Sequence, residues 1–439
     1  MFRPFLYFLV LLVTFGCAKY VPLRPKNDCI PYSNLEYCAI QTANDFRLSF
    51  LPDEMTKSTQ SLGVKSINCI DLPSSFSDIS TRDSVFVINY YDDKGFSLVA
   101  SSEYTSDVLV STESGSLDSS KLFNDNAEYD FDGEEIMYKY VESLLYNYEN
   151  DETNRRIKDP TTKLNPGEGY NTWYTDTLVH PLVHYKWGQK YPFNKSMPAT
   201  LPSLVSHDYT SVYRGKYAAG CVIIAAMQMV AATNHPSTIT PDSYVYYMSQ
   251  FSGVSMYYNY ESFLPDNYDT NVSPQLKLVT NKLAFLIYWF GDSIDAEYKP
   301  NGSTGASVDD AMDLLSDLDY ARYGNWSKIS YSGYNPSLYI ALNLGKPAII
   351  CGDRLKINGE TVGHAWLIDG YISQHMTRPD DDEYHRYYSH FNWGRNGNSD
   401  GYYLYIGASQ YQQDATYDTN TDLGTSPTNY SLNTYYYLY

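Results

Sequence analysis

The chain has 439 residues, of which 43% are hydrophobic and 16% are aromatic, including 47 tyrosines. This length allows two or three domains, and the hydrophobic content excludes a wholly disordered chain. The formal net charge of −20 disfavours binding to nucleic acid or to an anionic membrane surface. We therefore expect a folded, acidic protein without a nucleic-acid partner.

Residues 1–17 have the features of a signal peptide. Arg3 precedes an apolar run from Phe5 to Phe15, which is shorter than the roughly 20 residues that a spanning helix needs. The run ends in TFGC, a loose form of the bacterial lipobox, so we predict lipidation of Cys17. Ordinary cleavage after Ala18 is the alternative. We expect an exported lipoprotein at the bacterial cell surface or in the periplasm, held to the membrane only by its N-terminal lipid, or secreted after processing.

The six cysteines fit neither a disulfide scaffold nor a metal site. The sequence has no CxxC pair, no zinc-ligand spacing and no HExxH motif, so we predict no metal and no cofactor. Export would permit a disulfide among Cys29, Cys38 and Cys69, but the sequence does not choose a pair.

Residues 18–150 are predicted to form a small α+β unit. The runs VFVI at 85–88 and FSLVA at 96–100 flank DDKG, a hairpin-turn signal, and VLV at 108–110 predicts a third strand. From Glu134 to Tyr148, apolar residues recur at helical spacing, which predicts one amphipathic helix. Residues from about 20 to 75 show no firm periodicity.

Residues 151–170 are charged and rich in proline and glycine, which is typical of an exposed linker. In the following domain, residues 171–439, the predicted helices precede the predicted strands, which indicates an α+β fold. The helices are predicted at 221–232, at 274–290, after Ser307 and at 336–345. The strands are predicted at 348–351, 364–368, 388–393 and 402–406, and 374–386 is interpreted as an inserted polar loop.

Cys221 is the candidate nucleophile. It begins CVIIAAMQ, an apolar run without glycine or proline, which predicts a buried helix with the cysteine in its first turn. The helix N-terminus favours a thiolate, and Gly220 leaves room for a substrate carbonyl. His364 follows Cys221 by 143 residues, within the interval of about 130–150 between these residues in papain-like proteases. An inert buried cysteine and a satisfied core histidine are the alternatives.

Asn392 follows in papain order and is predicted to accept a hydrogen bond from the His364 imidazole, with Trp393 shielding that bond. Asp369 and His390 are the competing partners. Asp369 lies five residues from His364, so the strand period points it to the opposite face, and we interpret it as a turn former before Gly370.

These blocks resemble the streptopain family of papain-like cysteine peptidases. The matching segments are GCV at 220–222, GHAWLIDGY at 363–371, NWG at 392–394, SDGY at 399–402 and WGQKYPFN at 187–194. The resemblance implies that Gln189 supplies the oxyanion-hole side chain beside the backbone N–H of Cys221. It also implies that YKPNGSTGA at 298–306 borders the substrate cleft. The resulting cleft candidates are Gly220, Ser303, Gly305, Gly363 and Trp393.

Residues 95–101 and the flanking strands resemble the family's inhibitory propeptide domain. The resemblance implies an exported cysteine endopeptidase that acts on proteins or peptides and is made as a zymogen, inhibited by its own N-terminal domain. Arg155 and Arg156 in the linker are candidate processing positions. RNG at 395–397 departs from the family pattern, in which a second Trp-Gly is usual.

Three alternatives remain. The chain could be a catalytically idle surface binding protein on the same scaffold, with its tyrosine-rich tail as a contact surface. It could be a protease inhibitor that acts through the N-terminal domain, or that domain could be a permanent spacer. The presence of all four candidate catalytic residues argues against an idle scaffold.

Overall fold

The computed structural model describes residues 34–50, 63–73, 84–101, 106–124, 127–129, 134–150, 173–200, 213–256, 272–318, 326–330, 336–355, 361–377, 383–405 and 430–437. The predictions for Cys17, Cys29, Arg155, Arg156 and the linker at 151–170 lie outside these residues. Within them, no helix is long and apolar enough to cross a membrane. Cys38 and Cys69, the two described members of the predicted cysteine cluster, are exposed and are not joined to each other by a disulfide.

The described residues contain seven α-helices, two of which begin at a capping serine. Ser273 and Ser307 each cap a helix by accepting from the backbone N–H three residues on, at Leu276 and Asp310. The helices are α1 (Asn34–Phe50), α2 (Glu134–Asn150), α3 (Cys221–Thr233), α4 (Gly253–Met256), α5 (Pro274–Ser293), α6 (Val308–Asp317) and α7 (Pro336–Asn343).

The strands alternate with these helices early in the chain and dominate its last third. In the first part they are β1 (Val64–Ile70), β2 (Ser84–Tyr90), β3 (Phe96–Ser101), β4 (Ser106–Thr112), β5 (Tyr174–Val179), β6 (Thr238–Ile239), β7 (Tyr246–Tyr247), β8 (Glu297–Tyr298) and β9 (Thr304–Gly305). In the last third they are β10 (Trp326–Ser330), β11 (Ala348–Leu355), β12 (Thr361–Thr377), β13 (Glu383–Asn392), β14 (Gly401–Tyr405) and β15 (Tyr430–Tyr437).

One eleven-stranded sheet runs through the molecule, in the order β1-β2-β3-β4-β14-β13-β12-β11-β15-β10, with β5 paired to β12. All of its ladders are antiparallel, which confirms the predicted helices followed by an antiparallel sheet. The remaining pairs, β6–β7 and β8–β9, form small hairpins.

The N-terminal strands are continuous with the later sheet. β4 pairs with β14 in the register Thr112↔Gly401, Ser111↔Tyr402 and Val110↔Tyr403. One hydrophobic core accordingly contains apolar side chains of α1, α2 and β2–β4 together with those of β12, β13 and β14. A second core surrounds α3, which packs against β12. The two units predicted from the sequence therefore share a sheet and a core in the intact chain.

Three features differ from the sequence prediction. Residues 374–377 and 383–386 extend β12 and β13 into a paired hairpin, so the predicted inserted loop is wrong for these residues. The weakly periodic segment before residue 75 contains α1 and β1. In the tyrosine-rich tail, β15 pairs with β10 and β11, so this part of the tail is a strand inside the sheet.

Candidate active site

Cys221 is the first residue of α3 and is half-buried. Gly220 caps the helix at φ 93°, a left-handed backbone conformation that favours glycine. The chain before the cysteine is held on two sides. Ala219 N donates to Gln189 O at 2.9 Å, and Ala218 N donates to Gly302 O at 3.0 Å. The buried helix starting at Cys221 confirms the prediction and places the thiol at the positive end of the helix dipole.

The β8–β9 hairpin lies directly against this turn. Thr304 Oγ1 donates to Ala218 O at 2.6 Å, and a Cβ added to Gly220 would lie 3.3 Å from Thr304 Cγ2. Ser303 and Gly305, which flank Thr304, are both partly exposed. The hairpin therefore places these two cleft candidates beside the start of α3.

His364 lies on β12, where only 4% of its surface is exposed. Its ring is stacked near Trp366 and Trp393, at centroid distances of 5.9 and 6.2 Å. Burial lowers the pKa of His364 to about 4, although the hydrogen bond to Trp393 opposes this shift. The imidazole is therefore neutral at pH 7 in the intact chain.

The hydrogen-bond partner of His364 is a backbone group and not the predicted Asn392 side chain. Nε2 of His364 lies 2.9 Å from the carbonyl oxygen of Trp393. A carbonyl only accepts, so Nε2 carries the proton and Nδ1 keeps its lone pair. Among the described residues, Nδ1 makes no hydrogen bond.

Asn392 instead holds the turn that carries this carbonyl. Its Oδ1 accepts from Gly394 N at 3.1 Å, and its Nδ2 donates to Tyr185 O at 3.1 Å. Gln228 of α3 also donates to Tyr185 O, at 2.8 Å. The prediction of direct contact between Asn392 and His364 is therefore corrected: the asparagine side chain bonds the backbone on either side of it, and the residue after it supplies the partner of the imidazole.

The turn after Asn392 packs on α3 near its first residue. A Cβ added to Gly394 would lie 3.3 Å from Cγ2 of Ile224, whose N–H donates to Gly220 O at 3.0 Å. The partner of His364 is thereby placed one helical turn from Cys221. The predicted base is therefore linked, through the turn at 393–394, to the helix that begins with Cys221.

Gln189 is buried, with 5% of its surface exposed, next to the segment before Cys221. Its own carbonyl accepts from Ala219 N, and the adjacent Gly188 forms a β-bridge with Arg395. Gln189 therefore lies beside the segment that leads into Cys221.

Two further cleft candidates differ in exposure. Gly363 is exposed next to His364 on β12. Trp393 is fully buried, its ring stacking on Trp366 at 4.5 Å while Nε1 donates to Tyr403 OH at 3.0 Å. The prediction that the Trp393 ring lines the cleft is therefore wrong for the intact chain, because its neighbours enclose it.

Asp369 and His390 form a separate buried pair. Asp369 lies at a bulge within β12, so its interpretation as a turn former is wrong. Its Oδ1 is 2.6 Å from His390 Nδ1, and its Oδ2 accepts from Val183 N at 2.9 Å. His390 Nε2 lies 3.5 Å from a carboxylate oxygen of Glu113, at the end of β4. Neither Asp369 nor His390 is therefore the hydrogen-bond partner of the His364 imidazole.

The sequence did not predict the hydrogen-bond partner of His364, because that partner is the backbone carbonyl of Trp393 and every residue type has a backbone carbonyl. It also missed the buried Asp400, whose Oδ1 accepts from Trp393 N at 2.8 Å. Asp400 does stand in the SDGY block of the family resemblance, which was the available signal. Among the described residues, no group of three or more His, Cys, Asp or Glu side chains is arranged to hold a metal ion.

Comparison with known proteins finds a matching family model, similar sequences and similar solved structures. Residues 187–403 match the model of the peptidase C10 family. Streptopain of Streptococcus pyogenes is 25% identical over 328 residues, which cover 70% of this chain and 71% of streptopain. Active interpain A of Prevotella intermedia aligns at 21% identity and TM-score 0.35, covering 60% of this chain and 95% of that one. A prointerpain A fragment from the same organism aligns at 18% identity and TM-score 0.43, covering 84% and 98%.

Proposed function

The chain belongs to the peptidase C10 family of cysteine peptidases, and we propose that it hydrolyses peptide bonds through Cys221 and His364 and is made as a latent precursor. The observation that supports the proposed chemistry is the tautomer of the His364 imidazole. Its Nε2–H is fixed by the Trp393 carbonyl, and this leaves Nδ1 to take a proton. A base in this state, together with a cysteine at a helix start, suits nucleophilic catalysis.

In the proposed reaction, Nδ1 of His364 takes the Sγ proton of Cys221, and the sulfur attacks the peptide carbonyl carbon. The resulting oxyanion accepts hydrogen bonds from the Gln189 amide and from the Cys221 N–H. His364 then gives its proton to the leaving amine as the C–N bond breaks. Water attacks the thioester, His364 takes a proton from it, and cleavage of the C–S bond releases the acid and restores the thiol.

Cys221→Ala is expected to abolish hydrolysis of an unfolded protein substrate, because it removes the atom that forms the thioester. The matched control is Cys351→Ala, since Cys351 is also partly buried but lies on β11. We expect the control chain to hydrolyse the substrate at close to the wild-type rate. Substantial turnover by a folded Cys221→Ala chain would overturn the assignment.

Latency is supported by how the N-terminal unit contacts the rest of the chain. Tyr140 of α2 packs its ring on Trp393 and Phe391, at centroid distances of 6.2 and 5.1 Å. Asp107 of β4 pairs with Arg386 of β13 at 2.8 Å, with both side chains mostly buried. Together with the β4–β14 ladder, these contacts place the N-terminal unit against the residue that holds His364.

We also propose that the chain is exported and lipidated at Cys17, as the TFGC segment favours. Lipidation would tether the precursor to a membrane surface. Metabolic labelling with a fatty acid is expected to mark the wild-type chain and to fail with Cys17→Ser. Equal labelling of both chains would refute this proposal.

A further inference from the structure

Asp400 is a buried carboxylate without a part in the reaction described above. It lies between the loop at 395–399 and β14, and 3% of its surface is exposed. Burying a carboxylate is unfavourable unless strong hydrogen bonds compensate for the lost hydration. Burial raises the pKa of Asp400 to about 7, although its hydrogen bond from Trp393 N counteracts the shift. Retaining such a group calls for a specific contact.

That contact is to the residue that holds the catalytic histidine. Asp400 Oδ1 accepts from Trp393 N at 2.8 Å, and Trp393 O lies 2.9 Å from His364 Nε2. On the far side of the same carbonyl, Gly394 N donates to Asn392 Oδ1 at 3.1 Å. Both N–H groups that flank the carbonyl are therefore held by side chains, which fixes the plane of the peptide and the direction of its oxygen.

We propose that Asp400 is a positioning residue for His364, acting through the backbone of Trp393. This inference rests on the proposed function, since it concerns the same histidine. Without the carboxylate, the Trp393 N–H loses its acceptor and the turn at 393–394 is free to rotate. The imidazole then loses the orientation in which Nδ1 meets the sulfur. Small misplacements of this kind cost up to about 10²-fold in rate.

The test compares Asp400→Leu with Asp400→Asn in the full-length chain after activation, with rates normalised to titrated thiol. Leucine has a similar branched shape but is larger and has no polar atom, whereas asparagine has nearly the shape of aspartate and keeps an acceptor for Trp393 N. Asp400→Leu is expected to lower kcat about 10- to 100-fold with little change in KM, and Asp400→Asn to restore most of it. If the leucine chain does not fold, Asp400→Ala takes its place, since the smaller side chain causes no overpacking.

A second measurement is the rate at which iodoacetamide alkylates Cys221, recorded as a function of pH. The midpoint of this pH profile would not change if Asp400 only stabilised the fold. Asp400→Leu is expected to shift the midpoint of the alkylation rate toward about 8.5, the pKa of an unassisted thiol, while Asp400→Asn keeps the wild-type midpoint. Asp369→Leu is the matched control, because Asp369 is also fully buried and accepts a backbone N–H, from Val183. It should alter stability without moving the midpoint.

The outcomes separate the two claims. A folded Asp400→Leu chain with wild-type kcat and midpoint, in a protein whose hydrolysis does require Cys221, overturns the role of Asp400 alone. Hydrolysis that survives Cys221→Ala overturns the proposed function itself. Equal losses in Asp400→Leu and Asp400→Asn would show that the charge, and not the acceptor, is needed, and would also overturn the positioning role.

Discussion

Gln189 is the residue whose proposed role is easiest to isolate, because in the proposed reaction it binds the oxyanion and takes no part in proton transfer. Gln189→Ala is expected to lower kcat by about 10²- to 10³-fold with a small change in KM, as loss of one oxyanion donor usually does. Gln374→Ala is the matched control, since Gln374 is equally buried but bonds Thr175 and Arg386. Steady-state kinetics of both chains provide the measurement, and a large rise in KM at constant kcat would contradict the role of Gln189.

His390 makes the stability of the intact chain depend on pH. Burial opposes its protonation, but Asp369 and Glu113 outweigh this effect and raise the pKa of His390 to about 10. The stabilisation is full below about 6.5, the ordinary pKa of histidine, and is lost as pH rises through about 10. In this window the folded chain holds a proton that the unfolded chain has released.

We therefore expect the free energy of unfolding to fall between pH 7 and pH 10, by up to about 1.4 kcal/mol per pH unit from this group. His390→Gln removes the titrating group, so its urea-unfolding free energy should have a shallower slope over the same range. Identical slopes for the two chains would contradict the pairing of His390 with its carboxylates.

At the scale of elements, the start of α3 depends on one glycine. Gly220→Ala places a side chain at φ 93°, with its Cβ 3.0 Å from Ile223 Cδ1. We expect a loss of about 1–3 kcal/mol in the free energy of unfolding, together with lower kcat, because the turn positions Cys221. Gly215→Ala is the control, since Gly215 has φ 68° but no atoms near the added Cβ. It should retain wild-type kcat. Equal kcat for the two variants would contradict the special role of the Gly220 turn.

The sequence predicted the elements whose pattern is local and strong. Apolar periodicity located α2, an apolar run without glycine or proline located α3, and the capping residue Ser307 located the start of α6. The β12–β13 hairpin was missed because its outer half is polar, and its strands are defined by pairing with each other and with β5. The partner of His364 was missed for a similar reason: the position of the Trp393 carbonyl depends on Asn392 and Asp400, which only the fold brings together.

At the scale of the whole molecule, the predicted N-terminal unit is joined to the peptidase by a common sheet. Periodicity within each segment indicated the unit but not the β4–β14 ladder, because edge pairing between distant strands leaves no local signal. The joined sheet makes the intact chain a compact precursor. Cutting the linker alone would leave the ladder and the Asp107–Arg386 pair in place, so release of the N-terminal unit is a separate step.

The most direct test of a latent cysteine peptidase is the hydrolysis of an unfolded protein substrate by the full-length chain before and after cleavage at 151–170. Cys221→Ala, cut by the same added protease, runs in parallel. We predict that hydrolysis appears only after cleavage and release of the N-terminal fragment, and only when Cys221 is present. An uncut full-length chain as active as the processed form, or a processed Cys221→Ala chain that still hydrolyses the substrate, would contradict the account.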